Sequence, residues 1–150
     1  MNIVLNPKQF NKKNLYFSEP IENTIMEESI FIKILYSNEL MTLNGVFADM
    51  EMKITNRDTY FKKIKFIFDT KQNSEILENI YNIESDILDK YNSKKIKKRT
   101  IYDSLSSGNM KIFPNIDSDI HNCGNKFILK ISGLWESKHE IGVTYKIVIQ

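Results

Sequence analysis

The amino-acid sequence predicts a mainly β fold of the α+β class, in which five strands close into a Greek-key barrel and one helix joins the third strand to the fourth. Three observations lead to this prediction. Several stretches rich in β-branched and aromatic residues show the period-two alternation of half-buried strands. One later stretch changes to the three- and four-residue spacing of an amphipathic helix. Two further strand-like stretches, separated by a polar loop, end the sequence.

The first 29 residues are polar and poorly periodic, and they include Pro7 and Pro20. Two short apolar pieces, Ile3–Leu5 and Leu15–Phe17, have the composition of edge strands. We therefore expect an N-terminal extension that adds short strands to the edge of the fold.

The first three strands follow this extension. Ile30–Tyr36 is dense in β-branched and aromatic residues. The second strand region, Leu40–Ile54, contains Gly45, and an interior glycine usually marks a bend or bulge because no Cβ resists the distortion. A turn at Asn56–Asp58 then leads into the third strand, Tyr60–Phe68.

The period changes at Ser74, where apolar residues begin to recur at spacings of three and four, which predicts a helix over 74–92 of about five turns. Asn73 or Ser74 can cap its start. The apolar positions are Ile76, Leu77, Ile80, Ile83, Ile87, Leu88 and Tyr91. A basic, loop-like region follows, in which residues 110–113 have the composition of a short strand.

The sequence is expected to end in a β-hairpin with arms at Phe127–Trp135 and Ile141–Ile149. No repeat or linker interrupts it, so we expect one domain. Its parts are the extension (1–29), strands 1–3 (30–68), the helix (74–92), the basic loop region (93–125) and the C-terminal hairpin (126–150). This order matches an OB-type Greek-key barrel with the helix between strands 3 and 4. An α+β sheet with one packed helix is the alternative, and bending at Gly45 favours the barrel.

Composition excludes several classes of protein. The apolar runs are only a few residues long, so we expect no membrane-spanning segment and no membrane partner. The N-terminus has three apolar residues before Asn6, which is too few for a secretory signal. The lone Cys123 cannot form an internal disulfide, which suits an intracellular compartment: the cytoplasm, the nucleus or the replication site of a virus.

The sequence carries no recognisable catalytic or metal-binding motif, so we expect a protein that is not an enzyme and uses no cofactor. His121, Cys123 and His139 are too scattered for a structural zinc site, which takes four ligands in short-spaced pairs. Ser132 lies within a strand pattern and not at a strand-to-helix elbow. The five glycines are isolated from one another, which excludes a glycine-rich phosphate loop.

Outward positions of several predicted strands combine aromatic rings with lysines. Rings stack on bases and ammonium groups neutralise phosphates, so this combination suits a binder of single-stranded nucleic acid. The predicted stacking rings are Phe31, Phe47, Phe61 and Trp135, and the predicted phosphate contacts are Lys33, Lys63, Lys65, Lys130 and Lys146. For the lysines the alternative is an ordinary solvated face, and for Trp135 it is a place in the core.

A basic run follows the predicted helix and comprises Lys94, Lys95, Lys97, Lys98 and Arg99. It can complement the helix dipole, guide phosphates at the rim of a binding face or act as a nuclear-targeting cluster.

The net charge of +2 conceals an uneven distribution of charge along the sequence. Residues 1–93 carry 11 basic and 14 acidic side chains, and residues 94–150 carry 10 basic and 5 acidic ones. Only Arg57 and Arg99 are arginines, and base-specific reading relies on arginine, so we expect contact without sequence recognition.

The C-terminal hairpin contains Lys126-Phe127-Ile128-Leu129-Lys130-Ile131-Ser132-Gly133-Leu134-Trp135-Glu136, followed by Ile141-Gly142-Val143-Thr144-Tyr145-Lys146. These residues resemble the closing strands of the OB-fold single-stranded-DNA-binding proteins of bacteriophages and nucleocytoplasmic large DNA viruses. The resemblance implies a replication or repair protein that coats single strands, with no catalysis and no metal.

The sequence thus leads to two hypotheses. The first is a sequence-independent single-stranded-DNA-binding protein, with RNA as an alternative ligand and homo-oligomerisation left open. The second is a non-enzymatic structural or interaction protein, such as a small viral assembly or virion component with a β-barrel core, because aromatic residues are also enriched in protein interfaces.

Overall fold

The strands of the molecule form two sheets that pack with one main helix. The structure is a computed structural model that describes residues 4–23, 28–113 and 125–150. The strands are β1 (Leu15–Phe17), β2 (Ile21–Glu22), β3 (Ile30–Ser37), β4 (Thr42–Leu43), β5 (Val46–Glu51), β6 (Ile54–Tyr60), β7 (Lys63–Phe68), β8 (Ile96–Lys97), β9 (Asn109–Ile112), β10 (Lys126–Glu136) and β11 (Glu140–Ile149). The helices are α1 (Ser74–Tyr91) and α2 (Thr100–Leu105), and 3₁₀ turns occupy Pro7–Gln9 and Lys12–Asn14. The mainly β class with one main helix is confirmed, whereas the five-stranded Greek-key OB layout is not.

Strand β10 is the centre of the larger sheet. It pairs antiparallel with β11 along nearly its whole length, which confirms the predicted C-terminal hairpin. Along its other edge it pairs first with β5, through Lys126–Ile131, and then with β3, through Gly133–Glu136. A β-bulge between Ile131 and Gly133 marks the same point in the strand. Strands β1, β2 and β4 extend the sheet beyond β3, and β8 pairs with the start of β11.

Gly45 lies where the chain bends into β5. Its φ is 133°, and a Cβ at this position would stand 2.6 Å from the carbonyl oxygen of Ile131. Only glycine allows the backbone to approach β10 this closely in this conformation. The predicted bend is therefore confirmed, although the single strand predicted over Leu40–Ile54 is divided among β4, β5 and the start of β6.

The smaller sheet has the order β6–β7–β9, and here a predicted turn is wrong. Asn56–Asp58 belongs to β6, and the turn consists of Phe61 and Lys62 instead, with Tyr60 opposite Lys63. Lys62 takes the left-handed φ of 64° that closes this two-residue turn. Strand β6 lies at the edge of its sheet and exposes most of its side chains, so its polar sequence resembles that of a turn.

Helix α1 begins and ends almost where the sequence predicts. Asn92 terminates it in the left-handed conformation, with a φ of 58°. The buried side chains of its inner face include Leu77, Ile80, Ile83, Ile87 and Leu88. Asn73 does not cap the helix with its side chain; its Oδ1 accepts from the N–H of Lys53 at 2.7 Å and its Nδ2 donates to the carbonyl of Lys53 at 3.1 Å. These bonds tie the helix start to the segment between β5 and β6.

The region 93–125, predicted as a basic loop, contains β8, α2 and β9 in its described part, so that prediction is wrong there. Helix α2 is capped from a distance, because the buried carboxylate of Glu84 accepts from the N–H groups of Ile101, at 3.0 Å, and Tyr102, at 3.1 Å. A carboxylate at this place satisfies donors that the first turn of a helix leaves free. The short strand predicted at 110–113 is confirmed within one residue as β9.

One continuous core lies between the two sheets and the helices. The ring of Phe66 in the smaller sheet meets the ring of Phe127 in the larger sheet edge to face, with 5.0 Å between centroids. Because both sheets turn one face toward this shared core, their other faces point away from it.

The N-terminal extension supplies short edge strands. The strand predicted at Leu15–Phe17 is confirmed as β1, which pairs with β3. Leu5 forms a single parallel bridge to Ala48, whereas Ile3 lies outside the described residues. In residues 4–23, 28–113 and 125–150, no helix has the length and apolar character needed to cross a membrane.

Candidate nucleic-acid interface

The larger sheet has a face turned away from the core, which we call the outer face. It carries six residues that the sequence predicted as a binding site: Phe31, Lys33, Phe47, Lys130, Trp135 and Lys146. They alternate with buried neighbours such as Ile32, Leu129 and Leu134. Strand pairing therefore brings together residues from β3, β5, β10 and β11 that are far apart in the sequence.

The strand register places these residues in three adjacent rows of cross-strand neighbours on the outer face. These are Ile21, Phe31, Trp135 and Gly142 in the aromatic row; Lys33, Gly133 and Thr144 in the middle row; and Phe47, Lys130 and Lys146 in the lysine row. Directly opposed residues in antiparallel strands have Cα atoms about 4.5–5.5 Å apart. The rings are thus next to one another, and lysines follow in the two adjoining rows.

The bulge in β10 decides which side Trp135 faces. Simple alternation along the strand would place Trp135 with the core residues Leu129 and Ile131. The bulge at Ser132 inserts one extra residue, after which Leu134 is buried and Trp135 lies on the outer face, opposite Phe31. The core position weighed for Trp135 in the sequence is therefore wrong, because its ring lies on the outer face.

Two glycines support the rings of the aromatic row. A Cβ on Gly133 would stand 2.5 Å from Cε2 and Cζ of Phe31, and a Cβ on Gly142 would stand 2.5 Å from Cζ2 of Trp135. Each ring therefore packs over a backbone position where a larger residue would displace it. Both rings are only partly buried, so they are held in place while part of their surface stays open.

An open groove of about 610 Å³ is lined by the aromatic row. Its walls are mostly apolar, Ser132, Thr144 and Thr100 place hydroxyl groups in them, and Glu22 and Asn23 also line the groove. The Ser132 hydroxyl donates to the carbonyl of Thr144 at 3.3 Å, whereas the buried Oγ1 of Thr100 has no hydrogen-bond partner among the described residues. An apolar cleft with a few polar groups is the usual composition of a ligand site.

The lysines of the outer face keep their positive charge available. Lys33 and Lys146 are exposed, and no carboxylate in the described part of the chain forms an ion pair with them or with Lys130. The Nζ of Lys130 lies 5.8 Å from the centroid of the Phe47 ring, a cation–π contact. The carboxylates of Asp49 and Glu51 lie farther along β5, at the end of the sheet away from the aromatic row.

The basic run after α1 is largely neutralised within the chain. Three of its lysines form ion pairs, Lys95 with Glu136 at 2.8 Å, Lys97 with Asp89 at 2.5 Å and Lys98 with Glu140 at 3.4 Å. Its arginine, Arg99, donates to Ser85 at 2.8 Å and lies over the Tyr81 ring, while Lys94 is exposed. These contacts attach β8 to its neighbours, and they leave Lys94 as the member of the run best placed to act as an outer guide for phosphates.

Phe61, Lys63 and Lys65 belong to the smaller sheet and therefore do not lie on the outer face. Phe61 is in the β6–β7 turn and its side chain is 88% exposed. Lys63 and Lys65 alternate with the buried Ile64 and Phe66 and point away from the core. The predicted binding residues are thus divided between two surfaces.

The described residues offer little for metal binding or acid–base catalysis. Within 4–23, 28–113 and 125–150 no three His, Cys, Asp or Glu side chains are grouped so as to hold a metal ion. His139 is exposed, and His121 and Cys123 lie outside the described residues. Burial raises the pKa of the Glu84 carboxyl, and the N–H groups of α2 lower it in part, which is the balance expected of a buried helix cap.

Sequence reasoning missed the two glycines, the apolar neighbour Ile21 and the hydroxyls of the groove. From the sequence alone, a glycine inside a predicted strand indicates only a bend or a bulge. The isolation of the five glycines only excludes a glycine-rich phosphate loop. A further signal was present, because an aromatic residue beside a glycine on the neighbouring strand covers the bare backbone. Finding it requires the strand register, which depends on the bulge in β10.

Comparison with known proteins finds no matching protein-family model, no similar curated protein and no solved structure of similar fold. The function of the outer face is therefore inferred from its own chemistry.

Proposed function

We propose that the protein binds single-stranded DNA without sequence preference on the outer face of its larger sheet. The observation that supports this proposal best is the register, which sets a partly exposed aromatic row beside Lys33, Lys130 and Lys146, three lysines that form no ion pair within the described part of the chain. Stacking on such rings contributes about 1–3 kcal/mol per base, and the lysines neutralise the phosphates between stacked bases.

Lack of base-specific reading follows from the side chains that are present. The two arginines lie elsewhere, with Arg57 over the Phe66 ring and Arg99 over the Tyr81 ring. The hydroxyls of Ser132, Thr144 and Thr100 in the groove both donate and accept and therefore tolerate different base edges, while Glu22 and Asn23 add a carboxylate and an amide to its lining. We expect the site to bind the backbone and the bases of single-stranded DNA of any sequence. Single-stranded RNA is the second ligand, and its affinity is to be compared with that of DNA.

The proposal also covers the detailed topology of the larger sheet and the process in which the protein acts. The hairpin β10–β11 carries Lys130, Trp135 and Lys146, and it is also the segment that resembles the OB-fold single-stranded-DNA-binding proteins of bacteriophages and nucleocytoplasmic large DNA viruses. We infer that the larger sheet is an OB-like half-barrel and that the protein acts inside the cell in replication or repair.

A titration with oligothymidine, followed by the fluorescence of Trp135, tests the proposal because this is the single tryptophan of the chain. We expect quenching that weakens between about 50 and 200 mM salt, with a log–log slope near −2, since each of three lysines contributes about −0.7 on a single strand. Lys130→Glu with Lys146→Glu should reduce the slope and the affinity, and Lys130→Glu alone should do so in part. The single charge reversal Lys71→Glu, at an exposed position between β7 and α1, should not. Salt-independent fluorescence in the wild type would contradict the proposal.

A protein interface is the second candidate function, and exposed apolar side chains favour it. Leu40 is 87% exposed, Ile96 is 61% exposed, and Ile21 at the end of the aromatic row is 60% exposed. If the outer face is a protein interface, the oligonucleotide leaves the fluorescence unchanged and size-exclusion chromatography shows self-association that Trp135→Ala abolishes.

A further inference from the structure

We infer that the smaller sheet carries a second nucleic-acid-binding surface, so that one chain holds a single strand at two separate places. The inference rests on the proposed function, and it extends that function from one contact face to two. The second surface, which we call the hairpin surface, comprises Tyr60, Phe61, Lys62, Lys63, Lys65, Lys111 and Phe113.

The hairpin surface exposes three large aromatic side chains. Phe61 is 88% exposed, Phe113 is 64% exposed and Tyr60 is 48% exposed. Tyr60 and Phe61 stand at the tip of the β6–β7 hairpin, and Phe113 directly follows β9, the strand paired with β7. Exposed apolar side chains that cluster in this way usually mark a binding surface.

Lysines accompany each ring at the tip. The Nζ of Lys62 lies 5.1 Å from the centroid of the Phe61 ring, and the Nζ of Lys63 lies 5.2 Å from the centroid of the Tyr60 ring. Rings and cations are thus placed where a base and its phosphate can be contacted together, which is the arrangement that single-strand binders use.

The positive charge of the hairpin surface favours a polyanionic ligand. Lys65 and Lys111 are direct cross-strand neighbours, and two like charges in these positions repel each other. With Lys62 and Lys63 they make four ammonium groups, and none of the four forms an ion pair within the described residues. The single carboxylate in the register is Asp58, opposite Lys65. An anionic ligand that also offers flat rings fits this combination, and a nucleic acid is such a ligand.

The hairpin surface and the outer face belong to different sheets. Both sheets pack against the same core, so each of the two surfaces points away from it. A short oligonucleotide therefore occupies one of them, whereas a long one reaches both. Two linked contacts raise the affinity for the long strand through a high effective concentration.

The test compares the fluorescence anisotropy of labelled oligothymidines of about 6 and about 30 nucleotides, one near the lower site size of a single-strand-binding domain and one beyond its upper limit. The double variant Phe61→Ala with Lys65→Glu should bind the long strand at least about tenfold more weakly, since the second contact is lost. It should bind the short strand as the wild type does, because the outer face is intact. Phe61→Ala and Lys65→Glu are measured singly as well, with Lys71→Glu as the charge control and circular dichroism as the check of folding.

The matching variant on the outer face is Trp135→Ala with Lys130→Glu. It should bind both lengths only weakly, through the intact hairpin surface, with an affinity that falls as salt is raised. Equal losses for both lengths in the hairpin variant, or no loss for either, would overturn the inference and leave the proposed function standing. Wild-type affinity of the outer-face variant for both lengths would instead overturn the proposed site.

Anionic phospholipid vesicles test the alternative that the hairpin surface binds lipid. If the wild type binds these vesicles and the hairpin variant does not, while its oligonucleotide affinity is unchanged, the surface is assigned to lipid and the inference is overturned.

Discussion

At the scale of single residues, Gly133 and Gly142 decide the shape of the outer face. Each leaves room over the backbone for one ring, Phe31 on Gly133 and Trp135 on Gly142. The sequence shows both glycines, but their role depends on which residue lies across the sheet. That neighbour is set by the bulge at Ser132, which no local pattern predicted.

Gly142→Ala should move the Trp135 ring without unfolding the protein. The added Cβ would stand 2.5 Å from the ring, so the ring has to shift into solvent. We expect a longer wavelength of tryptophan emission and an affinity for oligothymidine about tenfold lower, comparable to that of Trp135→Ala, since one stacking contact is lost. The exposed substitution Asn82→Ala on α1 serves as the control. A shifted emission with unchanged affinity in Gly142→Ala would show that this ring does not contact the ligand.

Glu84 should make stability depend on pH. Burial raises the pKa of its carboxyl above the ordinary value of 4.5, so the folded protein holds this proton more tightly than the unfolded chain. The contribution is complete below about pH 4.5 and is lost as the pH rises through the raised pKa. We therefore expect the free energy of unfolding of the wild type, relative to that of Glu84→Gln, to fall between pH 4.5 and neutrality in urea titrations.

The exposed Glu78 on the same helix provides the control for this prediction. Glu78→Gln removes an exposed carboxyl from the same helix and leaves the cap of α2 in place. A difference between wild type and Glu84→Gln that is constant or grows with pH would contradict the proposed effect of burial. The charged groups nearest to the carboxyl, Asp103 and Arg99, act in opposite directions and do not reverse this sign.

At the scale of elements, segments with a strong local pattern were predicted correctly. Helix α1 follows the spacing of its apolar residues, and the strands of the C-terminal hairpin follow their β-branched composition. The prediction failed at α2, whose cap comes from Glu84 on another helix, and at β6, whose polar sequence is permitted by its place at a sheet edge. Both errors come from contacts between residues far apart in the sequence.

Gly45→Ala should strongly destabilise the protein, because it affects the point where β5 meets β10. A side chain is strained at a φ of 133°, and the Cβ would stand 2.6 Å from the carbonyl oxygen of Ile131. We expect a loss of roughly 2–4 kcal/mol in the free energy of unfolding. The exposed neighbouring substitution Asn44→Ala should change it by less than about 0.5 kcal/mol. A similar small change in Gly45→Ala would mean that the bend does not require glycine.

At the scale of the whole molecule, a net charge of +2 conceals how the lysines are divided. The run after α1, the most conspicuous basic feature of the sequence, is mostly paired with Glu136, Asp89 and Glu140. The lysines of the outer face and of the hairpin surface are dispersed along the sequence and are brought together by the two sheets. Alternation within single strands predicted which lysines face outward, whereas their separation into two surfaces required the topology.

Photo-crosslinking gives the sharpest test of binding on the outer face. A short oligonucleotide containing 5-bromouracil is irradiated with the protein, and the modified residues are located by mass spectrometry. We expect crosslinks to Trp135 and Phe31, whose rings lie side by side in the aromatic row, and we expect them to fade as salt is raised. The absence of crosslinks to both residues, with the oligonucleotide bound elsewhere or not at all, would contradict single-strand binding on this face.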